Sequence, residues 1–273
     1  MLNFTKMQSI GNDFVVIDNR DGTFEPEAAR IRRLCDRHFG IGCDQLLLVE
    51  NADEADFHYR IFNADGGEVN QCGNGARCFA RYVHERGLSD ANPLRVATRA
   101  GQMVLELTDD GLVRVDMGVP VLEPAAIPFE AEAATPQYEL EVEGRTFRIG
   151  AVGLGNPHAV LRVDDLERAP VALLGPAIEH HPRFPERANV GFMAVDDRDR
   201  IRLRVFERGA GETLACGSGA CAAVVSGRQQ GWLDDTVTVT LPGGSLMVEW
   251  PGEGTSVQLV GPAETVFKGS TEL

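Results

Sequence analysis

Two cysteines draw attention because each opens the same short motif, Cys-Gly-x-Gly-Ala. The motif begins at Cys72 and again at Cys216, each time before a run with helical character. The N-terminus of a helix presents unpaired N–H groups and a partial positive charge, so such a loop can hold an anion. The same field stabilises a thiolate, which predicts a lowered pKa for a cysteine placed there. Glycine lets the backbone approach a ligand closely.

The two motifs belong to a longer internal repeat. Residues 62–76 (FNADGGEVNQCGNGA) and 206–220 (FERGAGETLACGSGA) are identical at seven of fifteen positions, at an offset of 144 residues. About one identity is expected from composition. The same offset aligns further pairs: Gly11-Asn12 with Gly155-Asn156, Gln45 with Asn189, and Met103-Val104 with Met247-Val248. The repeat predicts two halves of one fold.

Two such motifs facing each other would suit the inversion of a carbon next to a carboxylate. One thiolate removes the α-proton, and the opposite thiol returns a proton to the other face. The helix N-termini point at the carboxylate, whose charge grows as the carbanion forms. Two groups are needed because a single base tends to return the proton to the face that it left. Two alternative interpretations of the repeated motif remain. The two cysteines could form a redox dithiol, or the motif could be a small-residue turn that only lets a helix pack closely.

Composition narrows the partners and cofactors. The 273 residues carry 26 Lys and Arg against 41 Asp and Glu, a formal net charge of −15, so nucleic acid and anionic membranes would be repelled. The only lysines, Lys6 and Lys268, lie close to the ends of the sequence, which makes the Schiff base of pyridoxal phosphate improbable. The six cysteines contain no C-x-x-C unit, which argues against zinc. We expect a cytoplasmic protein with no cofactor, no metal and no membrane segment.

Short β-rich runs separated by turns dominate the chain, and helices are few. Helices are predicted at residues 26–38 and 173–181, and two more begin just after Cys72 and Cys216 and end near Gly87 and Gly231. The predicted strands are residues 14–17, 46–49, 57–62, 103–107, 112–117, 145–149, 159–163, 201–206, 236–241 and 246–250. This pattern predicts a mixed α+β chain.

The repeat also predicts the domain boundaries. Residues 117–128 contain three prolines and are interpreted as a linker between the halves. Residues 262–273 have no counterpart in the second half, so they are expected to return to the first. The predicted lobes are therefore residues 1–117 plus 262–273 at the N-terminal side and residues 118–261 at the C-terminal side.

Polar residues in register with the motifs are candidates for substrate contacts. Asn12 and Asn156 each follow a glycine, although an Asn next to Gly is also typical of a turn. The second half carries Glu207-Arg208 where the first half has Asn63-Ala64, and His158 where the first half has Phe14. This asymmetry suits a substrate with distinguishable ends, with Arg208 binding a carboxylate and Glu207 an ammonium group. His158 could equally be structural.

The chain resembles diaminopimelate epimerases over its whole length. The segments that carry the resemblance are residues 11–14 (GNDF), 42–45 (GCDQ), 62–77 (FNADGGEVNQCGNGAR), 155–158 (GNPH) and 206–222 (FERGAGETLACGSGACA). The resemblance implies a cofactor-independent two-thiol interconversion of LL- and meso-diaminopimelate, the step before lysine that also supplies a precursor of the bacterial cell wall. It implies two related lobes similar to those of proline racemases, each an antiparallel-rich sheet wrapped around a central helix, and a homodimer.

The same resemblance implies individual roles. Cys216 would take the proton from the LL substrate and Cys72 would supply one, with the roles exchanged in reverse. His158 and Glu207 match positions that support catalysis near the α-amino group. The positions that match substrate contacts are Asn12, Gln45, Asn63, Gly73, Asn74, Asn156, Asn189, Glu207, Arg208, Gly217 and Ser218.

Two positions depart from the family pattern. Gly67 stands where a small hydroxyl residue is usual, and Phe267 stands where some relatives have an aromatic hydroxyl implicated in dimer contacts. An epimerase of proline or hydroxyproline is the closest alternative, but Asn63, Asn189 and Arg208 suit a longer substrate with a second amino-acid head. A PhzF-like isomerase lacks the paired thiols, and a ligand-binding module would keep its function without them.

Overall fold

Two units, each with its own strands and its own central helix, make up the chain. In the computed structural model, which describes residues 1–273, the first unit is Met1–Asp116 with Val260–Leu273, and the second is Met117–Leu259. None of the helices combines the length and the apolar character that crossing a membrane requires.

The first unit alternates strands with two helices. Its elements are β1 (Leu2–Ser9), β2 (Asn12–Asp18), α1 (Ala28–Cys35), β3 (Gln45–Glu50), β4 (Phe57–Asn63), β5 (Glu68–Val69), α2 (Gly73–Glu85), β6 (Leu94–Thr98), β7 (Gly101–Leu107) and β8 (Val113–Asp116). Strand β2 is antiparallel to β1 and parallel to β3, and β4 is antiparallel to β3 and parallel to β6. Strands β6, β7 and β8 form an antiparallel meander.

The helix α2 is the core of the first unit. It contacts β1, β2, β3, β4, β7 and β8, and its first eight residues are all buried. Small residues make this possible: a Cβ at Gly75 would collide with the Tyr59 hydroxyl and lie 3.3 Å from side-chain atoms of Ile61 and Phe14. The second glycine of the motif therefore lets the helix approach the sheet.

The second unit repeats the same order. Its elements are β9 (Tyr138–Val142), β10 (Arg145–Gly153), β11 (Pro157–Arg162), α3 (Val171–Glu179), β12 (Asn189–Asp197), β13 (Arg200–Glu207), β14 (Gly211–Thr213), α4 (Gly217–Gln229), β15 (Thr236–Leu241) and β16 (Gly244–Glu249). Strand β17 (Gln258–Gly261) contains the point where the chain passes from the second unit back to the first. The chain ends with β18 (Glu264–Thr271). Strands β11 and β12 are parallel, as are β13 and β15, whereas β12 and β13 are antiparallel. Helix α4 contacts β10, β11, β12, β13 and β16.

Register repeats as well as element order. In the first unit Phe14 of β2 is the partner of Gln45 of β3, and in the second His158 of β11 is the partner of Asn189 of β12. Strand β18 is antiparallel to β1 in the first unit. In the second unit β9 is antiparallel to β10 in the same way. The α+β fold of two related lobes, each with a sheet around a central helix, is confirmed.

Three of the predicted segments differ in the structure from their expected bounds or form. The first helix ends at Cys35 rather than near residue 38, because the Asp36 carboxylate accepts the N–H groups of His38 and Phe39 in a competing turn. Helix α3 lies two residues earlier than predicted. Residues 117–128 are not an open linker: a 3-10 turn forms at Pro124–Ala126, and Ile127 is buried in the core of the second unit.

Candidate active site

The first unit places Cys72 at the N-terminal end of α2. Cys72 is the N-cap residue, with extended backbone (φ −147°, ψ 119°), and the helix begins at Gly73. Its carbonyl accepts the Ala76 N–H at 2.8 Å and the Tyr59 hydroxyl at 3.3 Å, so the backbone at the partly buried thiol is held on two sides. By helix geometry the first N–H groups, at Gly73 and Asn74, point out of the N-terminal end of the helix.

Two amide side chains lie beside this thiol. The Oδ1 atom of Asn12 is 4.0 Å from the Cys72 Sγ and accepts a hydrogen bond from Asn74 Nδ2 at 3.2 Å. Asn12 begins β2, and Gly11 before it has φ +88°, a conformation that glycine adopts readily. Gly155 takes the same conformation in the second unit, with φ +76°. These glycines turn the chain just before a strand: β2 begins at Asn12, and β11 begins at Pro157, the residue after Asn156.

Gln45 and Asn63 meet on neighbouring strands of the first unit. They are direct register partners in β3 and β4, and Gln45 Nε2 donates to Asn63 Oδ1 at 2.8 Å. The Gln45 Oε1 atom is buried and accepts no hydrogen bond. A buried acceptor without a donor costs about 1–3 kcal/mol. This oxygen is therefore suited to receive an N–H or O–H group from a ligand.

The second unit places Cys216 at the equivalent end of α4. It is again the N-cap residue, with φ −126° and ψ 103°, and its Sγ lies 3.8 Å from the Ser218 hydroxyl. Burial and then the charge of Glu207 raise the pKa of the Cys216 thiol well above its ordinary value, while the Gly219 N–H opposes this only in part. The lowered pKa expected from the helix N-terminus is therefore wrong for Cys216.

Glu207 is held next to this thiol. It ends β13, and its Oε1 atom accepts a hydrogen bond from the Thr213 hydroxyl at 2.5 Å. The carboxylate also hydrogen-bonds with Cys216, an interaction that favours the protonated thiol. An ammonium group bound to Glu207 would cancel part of its charge and so ease ionisation of the thiol.

His158 is a neutral, buried base in the second unit. Its side chain is 1% exposed, and its Nε2 lies 2.9 Å from Asn156 Oδ1. Burial, and then the positive charge of Arg208, lower the pKa of His158 from 6.5 to about 3. At neutral pH the imidazole is uncharged, so it can exchange hydrogen bonds without adding charge to the site.

Arg208 projects from the turn after β13. Its backbone N–H donates to Asn189 Oδ1 at 2.9 Å, and Asn189 Nδ2 contacts the Pro157 carbonyl at 3.4 Å. The Arg208 side chain is exposed and donates to the Glu186 carbonyl at 2.9 Å. Its guanidinium is not neutralised by a carboxylate of the chain, so it can pair with a carboxylate of a ligand.

Each unit therefore carries its own cluster of predicted site residues. The first contains Asn12, Gln45, Asn63, Cys72, Gly73 and Asn74, and the second contains Asn156, His158, Asn189, Glu207, Arg208, Cys216, Gly217 and Ser218. The residue types fit an amino-acid ligand because carboxylate, ammonium and Cα–H groups each find a complementary partner among them.

Three supporting residues were not singled out from the sequence. Asp44 accepts a hydrogen bond from Asn12, and Arg77 donates one to Asn74. Glu179 is 3% exposed and accepts the Gly209 N–H at 2.8 Å, which holds the turn after β13. Each had a sequence signal: Asp44 and Arg77 lie within the segments that carry the family resemblance, and Glu179 is a carboxylate at the end of an apolar helical run. The contacts of Asp44 with Asn12 and of Arg77 with Ser9 join residues far apart in the chain, so they depend on the fold.

The remaining cysteines are buried. Cys78 and Cys221 lie inside α2 and α4, and Cys35 and Cys43 are 3.4 Å apart, sulfur to sulfur, as free thiols in the first unit. No group of three or more His, Cys, Asp and Glu side chains is arranged as a metal site.

Comparison with solved structures defines the class of fold. A probable proline racemase from Agrobacterium radiobacter K84 superimposes with a TM-score of 0.70 at 16% identity, over 100% of this chain and 93% of that one. A hydroxyproline epimerase from Agrobacterium vitis gives 0.68 at 18% identity, over 98% and 91%. A PhzF-family protein from Bacillus anthracis gives 0.70 at 16%, over 100% and 99%. The fold is the two-lobed one that racemases, epimerases and PhzF proteins share.

Sequence comparison is more specific. The family model for diaminopimelate epimerase matches residues 4–123 and 150–266. Relatives named diaminopimelate epimerase are 59% identical in Thioalkalivibrio sulfidiphilus, over 100% of this chain and 99% of the relative, and 58% identical in Alkalilimnicola ehrlichii, over 99% and 98%. The chain belongs to the diaminopimelate epimerase family, as the five sequence segments predicted.

Proposed function

We propose that the protein is an isomerase that converts LL-diaminopimelate to meso-diaminopimelate, in lysine and cell-wall precursor biosynthesis, with Cys72 and Cys216 as its two proton-transfer groups. Relatives that match almost the whole chain carry the name diaminopimelate epimerase. The observation that carries the two-thiol reaction is the repeated placement of a cysteine as N-cap of the central helix of each unit. The proton exchange needs no cofactor, because one thiol and one thiolate complete it.

The two cysteines have opposite roles in proton transfer, one as acceptor and one as donor. In the LL-to-meso direction the Cys216 thiolate takes the α-proton, leaving a carbanion whose charge spreads into the neighbouring carboxylate. The Cys72 thiol then gives its proton to the opposite face of the carbon. At the end Cys216 is a thiol and Cys72 a thiolate, so the enzyme starts the reverse reaction with the roles exchanged.

The environment of Cys216 makes its ionisation depend on the substrate. Its pKa is raised because the thiol is buried and Glu207 is negatively charged. The α-ammonium group of the substrate pairs with Glu207 and removes that repulsion. On substrate binding the Cys216 thiol releases its proton to water, so the thiolate forms only in the complex and the resting site stays in its less reactive protonated form.

The binding roles follow from complementary groups. The N–H groups at Gly73-Asn74 and Gly217-Ser218 stabilise the carboxylate next to the reacting carbon as its charge develops. Arg208 pairs with the second carboxylate, and the buried Gln45 Oε1 accepts a hydrogen bond from an ammonium group. The other polar side chains complete the substrate contacts: Asn12, Asn63, Asn156, His158 and Asn189.

The decisive experiment follows deuterium incorporation. LL-diaminopimelate is incubated with the protein in deuterated water, and the products are resolved by chirality and mass. A two-base reaction gives meso product with a solvent deuteron at the inverted α-carbon, and little deuterium in the remaining LL substrate at early times. L-Proline serves as the competing substrate. Exchange of proline alone, or of neither compound, would refute the assignment.

Two cysteine variants separate catalysis from mere binding. Cys72→Ala and Cys216→Ala should each reduce turnover by at least about a thousandfold, since one partner of the proton transfer is missing. A ligand-binding module would bind diaminopimelate equally well in both variants and convert it in neither the variants nor the wild type. A redox dithiol would need an oxidant in each cycle, whereas the epimerase should work best in a reductant.

We also propose that the protein functions as a cytoplasmic homodimer whose lobes are residues 1–117 plus 262–273 and residues 118–261. The division of internal contacts near residues 116 and 260 supports these boundaries. The dimer rests on the family resemblance and on exposed apolar residues of β18. The strong negative charge makes stable association with nucleic acid or an anionic membrane unfavourable.

A further inference from the structure

Arg77 is a buried cation in α2, one turn after Cys72. Its side chain is fully buried, where an unsatisfied charge would be costly. Two of its nitrogens donate to the Ser9 hydroxyl, at 2.7 and 3.2 Å, and Nη2 also donates to Asn74 Oδ1 at 2.7 Å. Because a guanidinium can only donate, Asn74 must turn its carbonyl oxygen toward Arg77 and its Nδ2 group away from it.

Asp44 fixes the orientation of the neighbouring amide, Asn12, through a hydrogen bond that it can only accept. Its Oδ2 atom accepts a hydrogen bond from Asn12 Nδ2 at 2.9 Å and one from the Asp13 N–H at 3.2 Å. A carboxylate can only accept, so Asn12 must turn its Oδ1 away from Asp44. That oxygen accepts the hydrogen bond from Asn74 Nδ2 at 3.2 Å. Arg77 and Asp44 therefore require the same donor and the same acceptor in the hydrogen bond between Asn74 and Asn12.

We propose that Arg77 and Asp44 are positioning residues that fix the orientation of the Asn74 and Asn12 amides, so that Asn12 presents its carbonyl oxygen to the Cys72 thiol. This chain of hydrogen bonds, Arg77–Asn74–Asn12–Asp44, is called the polar relay below. An acceptor 4.0 Å from the sulfur favours the S–H form over the thiolate. The relay thus prepares Cys72 as a proton donor.

The second unit lacks the relay although it shares the fold. At the offset of 144 residues, Cys221 stands in place of Arg77, Ser218 in place of Asn74, and Ala188 in place of Asp44. Neither the cation nor the carboxylate is therefore required to build a lobe of this kind. Their presence only beside Cys72 matches an asymmetric division of labour, which rests on the proposed two-thiol reaction.

Other charged groups in the first unit surround the carboxylate end of the relay. Arg37 Nη2 donates to Asp44 Oδ1 at 2.8 Å and to Asp13 Oδ1 at 2.7 Å. Lys6 donates to the other oxygen of Asp13 at 2.6 Å. On the helix side Arg77 is the charged group, and the titratable groups are the Tyr59 hydroxyl, which donates to the Cys72 carbonyl, and the buried Cys78 thiol. Charge changes at Asp44 must therefore be separated from loss of the hydrogen bond.

The test measures ionisation of Cys72 without any substrate. In a Cys216→Ser background, the rate of Cys72 alkylation by iodoacetamide is recorded against pH, and the modified residue is identified by peptide mass. The other four cysteines are at most 3% exposed, so Cys72 is the accessible thiol. Because only the thiolate reacts, the midpoint of the profile reports how strongly the surroundings favour the S–H form.

The expected result depends on the hydrogen-bond acceptor more than on charge. Asp44→Ala removes one of the two groups that orient the Asn12 amide, so its Nδ2 group can turn toward the sulfur and the midpoint should fall by about one pH unit, a tenfold gain in rate below it. Asp44→Asn keeps an acceptor oxygen for Asn12 Nδ2, so in this variant the midpoint should fall by less than half as much. Asp18→Ala, which removes a carboxylate paired with Arg20, should leave the midpoint unchanged.

Arg77→Lys tests the other end while keeping the charge. Lysine lacks the planar fork that holds Ser9 and Asn74 together, so the midpoint should again fall, provided that circular dichroism shows a native fold. Equal shifts of the midpoint for Asp44→Ala and Asp44→Asn would mean that only the charge of Asp44 matters, and would refute the proposed role of the polar relay. An unchanged or raised midpoint in Asp44→Ala would overturn it too. Failure of the epimerase assignment would leave this alkylation result intact, because no substrate is used.

Discussion

At the residue scale, the two cysteines share a motif and differ in environment. A helix N-terminus contributes the equivalent of roughly half a positive charge. At Cys216, burial and the carboxylate of Glu207 outweigh this contribution and favour the thiol. At Cys72 the thiol is more exposed and faces the carbonyl oxygen of Asn12. The motif could be read from the sequence, but burial and the neighbouring carboxylate depend on tertiary contacts.

His158 gives a prediction about acid stability. The folded protein keeps it neutral down to about pH 3, whereas the unfolded chain binds a proton near the ordinary pKa of 6.5. A depressed pKa means that its stabilising contribution is complete above the unfolded value and is lost as pH falls from 6.5 toward 3. The loss amounts to about 2 kcal/mol of unfolding free energy by pH 5. His158→Phe, which installs the residue of the equivalent first-unit position, should remove this dependence.

Urea unfolding of both proteins at about pH 7 and pH 5 checks the prediction. Any packing cost of the phenylalanine lowers the unfolding free energy at both pH values and cancels in the comparison. The wild type should lose about 2 kcal/mol more than His158→Phe between the two conditions. Equal losses in the two proteins would mean that His158 is protonated in the folded state.

At the element scale, the motif glycines allow close packing of the central helices. Gly75→Ala should destabilise the first unit by about 1–3 kcal/mol, because the added Cβ would meet Tyr59, Ile61 and Phe14. Thermal unfolding should show a lower Tm. The control is Gly67→Ala in the exposed turn before β5, where the nearest atom is Asp65 Oδ1 at 3.1 Å, the mobile end of a side chain. An equal loss in both variants would show that only backbone flexibility matters.

Much of the architecture at this scale could be predicted. The helices after Cys72 and Cys216 begin at the second residue of each motif, as predicted, because small residues, N-cap geometry and the repeat all favour a helix start there. Strands that were not predicted include β1, β9, β12 and β18. Strand β18 is mostly exposed, so its apolar residues do not alternate, and β12 is buried on both faces over six residues. Their pairing partners, rather than local patterns, define these strands.

At the scale of the whole molecule, the C-terminal strand returns to the first unit. It pairs with β1 over most of its length, from Leu2 with Thr271 to Gln8 with Glu264. The repeat could predict this return, because residues 262–273 have no counterpart in the second half. Candidate site residues could be named from the motifs, whereas the contacts by which Asp44, Arg77 and Glu179 support them depend on the folded structure.

The exposed face of β18 provides a prediction about the proposed homodimer. Val266 is 56% and Phe267 47% exposed, and the Phe267 ring packs edge-to-face on Phe4 at 5.9 Å between centroids. If this apolar patch is covered in the dimer, Phe267→Asp buries an unpaired carboxylate in the interface and should weaken dimerisation by at least about a hundredfold. Leu173→Asp, on α3 in the other unit and 57% exposed, is the matched control and should dimerise like the wild type.

Sedimentation velocity over a range of protein concentrations distinguishes the outcomes. A dimer in the wild type and in Leu173→Asp, with a monomer in Phe267→Asp, would place the interface at β18 and show that a phenylalanine serves there without an aromatic hydroxyl. A dimer in all three proteins would move the interface elsewhere. A monomeric wild type at every concentration would refute the proposed homodimer.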